Sequence, residues 1–225
     1  MSIFHTATGT CPKCGTETDV ELVASVNADV RPDLRQAILD GSFQAQPCPN
    51  CGTPMRLSPY LAFLNLGRSQ WILVQPPEAL ANWRDAEQEA GQLYRDSFGA
   101  GAPKPAQDLA EGLQSRVVFG WPALREKLLC ADLGLADTTL ELMKIAIMRD
   151  VPNPPLADQT ELRLTGGDDD TLRFAWIETE TERTIAALSV PREVYDGIAG
   201  DVASWAALRS QFEGRLFIDL KRLLV

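Results

Sequence analysis

The sequence predicts an α+β protein in three parts: a small N-terminal domain built around four cysteines with an inserted helix, a connecting helix, and a C-terminal α+β domain. Three observations carry this. The pentapeptides Cys11-Pro12-Lys13-Cys14-Gly15 and Cys48-Pro49-Asn50-Cys51-Gly52 are nearly the same loop written twice. A helical stripe from Glu78 to Phe98 runs into Gly99-Ala100-Gly101-Ala102-Pro103-Lys104-Pro105, the clearest linker in the chain. The remaining residues place helical periodicities beside a hairpin signal.

Residues 1–75 form the first predicted domain. IFHTATGT (3–10) and ETDVELVASV (17–26) read as strands around the first loop, with Val20, Leu22, Ala24 and Val26 alternating as in a half-buried strand. Pro32-Asp33 opens a helix that stops at Gly41 and has an apolar edge of Leu34, Ile38 and Leu39. Residues 55–65 and 70–75 supply further strands, the first made irregular or an edge strand by Pro59.

Residues 76–105 hold the connecting helix and linker. Leu80, Trp83, Ala86, Ala90, Tyr94 and Phe98 fall at three- and four-residue steps, opposite a face carrying Arg84, Asp85, Glu87, Glu89, Gln92 and Arg95. Two readings follow: the stripe packs within its own chain, or it is offered to a partner or a second copy.

The third domain is residues 106–225. Helices are expected over Ala106–Ser115, Pro122–Leu133 and Thr138–Arg149, the last capped by Asp137 with Glu141 supporting its first turn. Leu124, Leu128, Leu129, Leu140, Met143, Ile147 and Met148 are core candidates, and Cys130 among them reads as an inert, buried thiol. Thr165–Thr171 reads as a hairpin turn between strands at 162–164 and 172–177. Its run Asp168-Asp169-Asp170 lacks the ligand spacing of a calcium loop and reads as a solvated turn. A strand at 184–190, helices near 192–199 and 204–211, and a last strand running into a helical turn complete the expectation.

The paired loops define the chemistry. C-x-x-C spacing lets two thiols occupy two corners of a tetrahedron, and two such loops facing each other make a closed four-thiolate zinc site, the core of a zinc ribbon. The expected ligands are Cys11, Cys14, Cys48 and Cys51, holding one structural Zn2+ per chain. A thiol–disulfide redox motif would place its first cysteine at a helix N-terminus. Gly15, Gly52 and Pro54 instead follow the second cysteines, so no helix starts there. A disulfide pair needs an oxidising compartment, whereas the opening MSIFHTATGT lacks the pattern of a secretory signal. His5, the only histidine, would be a superfluous fifth ligand.

Composition narrows the function. A formal net charge of −10 and few Lys or Arg near the loops argue against a nucleic-acid partner. The apolar run Leu128–Met148 is broken by Asp132, Asp137, Glu141 and Lys144, so no membrane span is expected. No P-loop, G-x-S-x-G, dinucleotide fingerprint or H-E-x-x-H occurs.

With CPKCG and CPNCG in place, the chain resembles the CpXC family of bacterial proteins. The resemblance extends through SVNADVRPDLRQAILDGSF and GRSQWI, and FGWPALREKLLCADLGLADTTLELMKI is similar to the C-terminal portion of longer members. It implies that Cys11, Cys14, Cys48 and Cys51 stand where the family's four cysteines stand. The resulting expectation is a cytoplasmic, non-enzymatic zinc-ribbon adaptor that binds other proteins or itself. Its rivals are a nucleic-acid-binding ribbon and an enzyme whose site lies in the C-terminal domain. A deep pocket there with convergent carboxylates of perturbed pKa would favour the enzyme.

Overall fold

The structure, a computed structural model, describes residues 2–155 and 159–224. The chain divides into two compact units. One comprises Met1–Leu80 and Gln88–Trp121, and the other Ala81–Glu87 and Pro122–Val225.

In the first unit, β1 (Ile3–Thr10) and β2 (Glu17–Asn27) form an antiparallel hairpin with Thr10 opposite Glu17. Helix α1 (Pro32–Asp40) opens on its proline and closes on Gly41 at φ 81°, a left-handed turn that glycine adopts without steric cost. A second, short hairpin follows from β3 (Ala45–Pro47) and β4 (Pro54–Arg56). Pro59 falls in the gap before β5 (Leu61–Asn65), so the single strand expected over 55–65 is two strands interrupted at the proline. After β6 (Gln70–Gln75), a 3-10 segment at Pro77–Asn82 precedes α2 (Trp83–Phe98), shortening the helix expected from Glu78. Then come α3 (Lys104–Ala110) and β7 (Gln114–Phe119).

The main sheet has the order β1-β2-β5-β6-β7. β2 pairs with β5 in parallel, and so does β6 with β7. A parallel pair needs a crossover. Helix α1 with the second hairpin supplies the first, and α2 with α3 the second. β6 is buried at all six positions, which is why QWILVQ reads as an almost unbroken apolar run.

β7 changes the domain boundary. Residues 106–115 were expected to be one helix opening a separate domain, but Gln114–Phe119 is the edge strand of the first unit's sheet. Val117, Val118 and Phe119 are buried there, and the β-branched and aromatic run Val-Val-Phe is the signal that marks them. The first unit therefore continues to Trp121, whose indole donates to the Leu57 carbonyl (2.9 Å) and meets the Phe43 ring edge-on at 5.4 Å.

The apolar stripe of α2 is covered within the chain. Trp83 and Ala90 are 5% and 0% exposed. In the second unit, Trp83 stacks against Phe217 at 5.6 Å, with the guanidiniums of Arg84 and Arg222 each 4.3 Å from its ring centroid. In the first unit, Tyr94 meets Trp71 at 5.3 Å. Of the two readings of the stripe, these contacts are those of the one in which it packs within its own chain.

The second unit packs α4 (Trp121–Asp132, from Pro122 onward), α5 (Asp137–Asp150), α6 (Arg192–Gly200) and α7 (Val202–Arg209) with a three-stranded antiparallel sheet. Its strands are β8 (Thr160–Gly167), β9 (Thr171–Glu178) and β10 (Thr184–Pro191), in the order β10-β9-β8. Leu140, Met143 and Ile147 of α5 pack with Leu162, Leu164, Phe174 and Trp176 of the sheet. Cys130 lies in this core, where burial pushes its thiol well up and keeps it protonated. The turn aspartates are exposed, and Asp168 accepts from the backbone N–H groups of Asp170 and Thr171. Among the described residues, the chain's last segment forms one 3-10 turn, Leu220–Leu223, and no strand.

Buried charge organises this unit. Asp137 does not cap α5: it is held by Lys127 at 3.1 Å, and Ala136 occupies the cap position. Glu141 does not decorate an exposed first turn either. It is fully buried, accepting from Lys144 (2.9 Å) and the Leu220 N–H (2.8 Å). Lys144 also donates to Glu126 (2.5 Å), and Arg163 bridges Glu126, Glu161 and Asp219. Lys127 donates to the Ile218 carbonyl (2.6 Å), so the C-terminal segment is fastened by this network.

Two outcomes are expected. Glu87 accepts from the N–H groups of Leu216 and Phe217 and pairs with Arg222. Glu87→Ala should destabilise the second unit by about 2 kcal/mol in urea unfolding, because three donors lose their partner. Burial lifts the Glu141 carboxyl to about 7, against the pull of Lys144. The folded chain then holds this proton more tightly than the unfolded chain, so its contribution to stability is complete below the ordinary glutamate range. It is lost as pH rises towards 7. Melting temperatures across this window should fall less in Glu141→Gln than in the unsubstituted protein.

Candidate metal centre

Each cysteine loop sits at the turn of a hairpin, the first between β1 and β2, the second between β3 and β4. The backbone repeats itself in the two. The N–H of Cys11 donates to the Thr16 carbonyl (2.9 Å) and that of Gly15 to the Cys11 carbonyl (3.0 Å). Cys48 N–H donates to Thr53 (2.8 Å), and Gly52 N–H to Cys48 (2.9 Å). Gly15 and Gly52 have φ of +69° and +68° with open space where a Cβ would stand, so glycine serves the backbone angle and not a close contact.

These turns bring four sulfurs together. Cys11, Cys14, Cys48 and Cys51 place their sulfur atoms within 4.8 Å of one another. Cys11 Sγ is 3.7 Å from Cys51 Sγ, and Cys14 Sγ is 3.6 Å from Cys48 Sγ. Sulfurs bound to zinc at about 2.3 Å in a tetrahedron stand about 3.8 Å apart. The separations match that edge, and all five cysteines of the chain are free thiols. The donor set therefore fits a tetrahedral, thiophilic metal ion held by these four residues. Exposed on β1, His5 is not part of the cluster.

The surroundings are two-sided. Cys11 and Cys48 are 1% and 2% exposed and pack with Val20 and Met55 in a small apolar cluster. Cys14 is exposed and Cys51 half-buried. Thr16 Oγ1 lies 3.2 Å from Cys14 Sγ, and Thr53 Oγ1 3.2 Å from Cys51 Sγ. Asn50 donates to Thr16 Oγ1 across the two loops (3.1 Å). The Thr16 hydroxyl, with its N–H, draws the Cys14 thiol down to about 5, and the Thr53 hydroxyl draws Cys51 down likewise. At Cys48 the backbone N–H groups of Cys51 and Asn50 pull the same way. Burial and the neighbouring Cys11 and Cys14 thiols outweigh them, leaving it at about 11. Metal binding must expel that proton. The paired threonines, each two residues beyond the second cysteine of its loop, were missed in reading the sequence, although C-P-x-C-G-T stands in both loops.

Two knuckle-tipped hairpins that converge four thiols define a protein built on paired C-P-x-C loops. A family model described as CpXC protein matches residues 10–144, more than half of the chain, and the chain belongs to the CpXC family. The match takes in both loops and runs into α5, to Lys144. No curated protein and no solved structure matches the chain.

The threonines give a test of the site. Thr16→Val removes the hydroxyl beside Cys14 while keeping the side-chain shape, and should weaken metal affinity by roughly 10–100-fold in competition with a chelator. Cys130→Ala should leave metal content unchanged.

Proposed function

We propose that the bound ion is one structural Zn2+ per chain and that the protein is a non-enzymatic, cytoplasmic interaction module of the zinc-ribbon type. The four-sulfur cluster carries this reading. Four thiolates fill a tetrahedral ion and leave no position for water or substrate. The metal then replaces an apolar core that Cys11, Val20, Cys48 and Met55 are too few to supply. The net charge of −10 favours protein partners over nucleic acid. Among the described residues, no helix is long and apolar enough to cross a membrane.

The test is recovery of stoichiometric protein partners with the tagged full chain from its native host, beside a Cys14→Ser/Cys51→Ser double variant. A partner held by the unsubstituted protein and lost by the variant is expected. Salt-sensitive recovery of nucleic acid instead, or turnover of a substrate by the purified chain, would contradict the reading.

A further inference from the structure

Within C-P-x-C-G-T the two cysteine loops differ at one position: Lys13 stands in the first where Asn50 stands in the second. Asn50 reaches out of its own loop. Its Nδ2 donates to Thr16 Oγ1 at 3.1 Å, 34 residues away in sequence, and its amide is also a hydrogen-bond partner of the Cys14 sulfur. Asn50 is exposed, so this contact is not a by-product of burying the side chain.

The Thr16 hydroxyl has one hydrogen and rotates to suit its neighbours. Once Asn50 donates to it, that hydrogen must point elsewhere. Among the described residues, Cys14 Sγ at 3.2 Å is the other partner of this hydroxyl. A cysteine that ligates a metal does so as a thiolate, which can only accept. Asn50 therefore turns the Thr16 hydroxyl into a fixed donor to that sulfur. In the second loop Thr53 Oγ1 lies 3.2 Å from Cys51 Sγ, but Lys13 makes no matching contact with it among the described residues. The fixed donor serves the ligand that most needs it. Cys14 is exposed, whereas Cys11 and Cys48 are buried, and an exposed thiolate is the one that a proton or a competing ligand reaches first.

We propose that Asn50 is a positioning residue of the metal centre: from the second loop it orients the Thr16 hydroxyl onto the Cys14 thiolate of the first. The assignment rests on the four cysteines being the metal site. Its rival is a purely structural tie between the hairpins, of the kind Gln46 makes by donating to the Asp19 carbonyl (3.4 Å).

The test compares the full chain with Asn50→Ala, Thr16→Val and the double variant. Zinc affinity is read against a competing chelator, and the cadmium-loaded proteins by cadmium-113 NMR. Asn50→Ala should weaken zinc binding roughly fivefold, the loss of one hydrogen bond. The cadmium resonance should move in the same direction in both single variants, because each leaves the Cys14 thiolate with a poorer donor. The double variant should lose less than the product of the two single losses, since both act through one hydroxyl. Unchanged affinity or an unmoved resonance in Asn50→Ala, or a double loss equal to that product, overturns the assignment. The unsubstituted chain separates this from failure of the site itself. No resonance in the tetrathiolate range there refutes the metal centre and the role of Asn50 together, whereas such a resonance left in place by Asn50→Ala refutes the role of Asn50 alone.

Discussion

Four sulfurs held within 4.8 Å of one another are the constraint on which the N-terminal half depends. Thiols at that spacing cannot all ionise without a cation among them, since each thiolate raises the cost of the next. A divalent ion held by the four thiolates would remove this conflict and tie the β1–β2 hairpin to the short β3–β4 hairpin. The latter has only three residues per strand, and a hairpin of that size has little stability of its own. The local cluster around the cysteines offers Val20 and Met55 as its buried aliphatic residues. Without the ion, little would hold the second loop against the first.

The C-terminal unit solves a different problem by a related means. Among the described residues, its last segment has no strand partner and few buried apolar anchors beyond Phe217, Ile218 and Leu220. It is fixed instead by polar groups: Glu87 accepts from its backbone, Glu141 accepts from Leu220, Lys127 donates to Ile218, and Arg163 holds Asp219. Such contacts are directional, so they set the segment's register more sharply than apolar packing would. Concentrating buried carboxylates has a consequence. Burial leaves Glu141 holding its proton towards neutral pH, while Arg163 and Lys144 overcome burial at Asp219 and drive its carboxyl far down.

The parts of this structure legible in the sequence are those with local causes. The hairpin around the first loop, the α1 boundaries at Pro32 and Gly41, and the break at Pro59 follow from turn residues and alternation. The cysteine quartet was legible because both loops carry the same backbone instructions. What escaped was non-local. β7 is a strand because β6 lies beside it, and a six-residue run after a short helix gives no local sign of that partner. Asp137 and Glu141 satisfy every local rule for the start of a helix, yet Lys127 of the preceding helix holds the first, and Lys144 with the Leu220 N–H, 79 residues on, holds the second. Arg163 and Asp219, which are 56 residues apart, look like ordinary surface charges until the fold buries them together. The Trp83 stripe was legible as amphipathic, but only tertiary structure says that Phe217 and Arg222 cover it.

Cobalt(II) spectroscopy of the full chain, after removal of the native metal, tests the central claim most directly. Cobalt in a tetrahedral tetrathiolate site absorbs intensely in the visible and shows sulfur-to-metal charge transfer. The account predicts that spectrum, saturating at one cobalt per chain and displaced by zinc. A weak octahedral spectrum, or a tetrathiolate spectrum that persists in Cys14→Ser/Cys51→Ser, would contradict it.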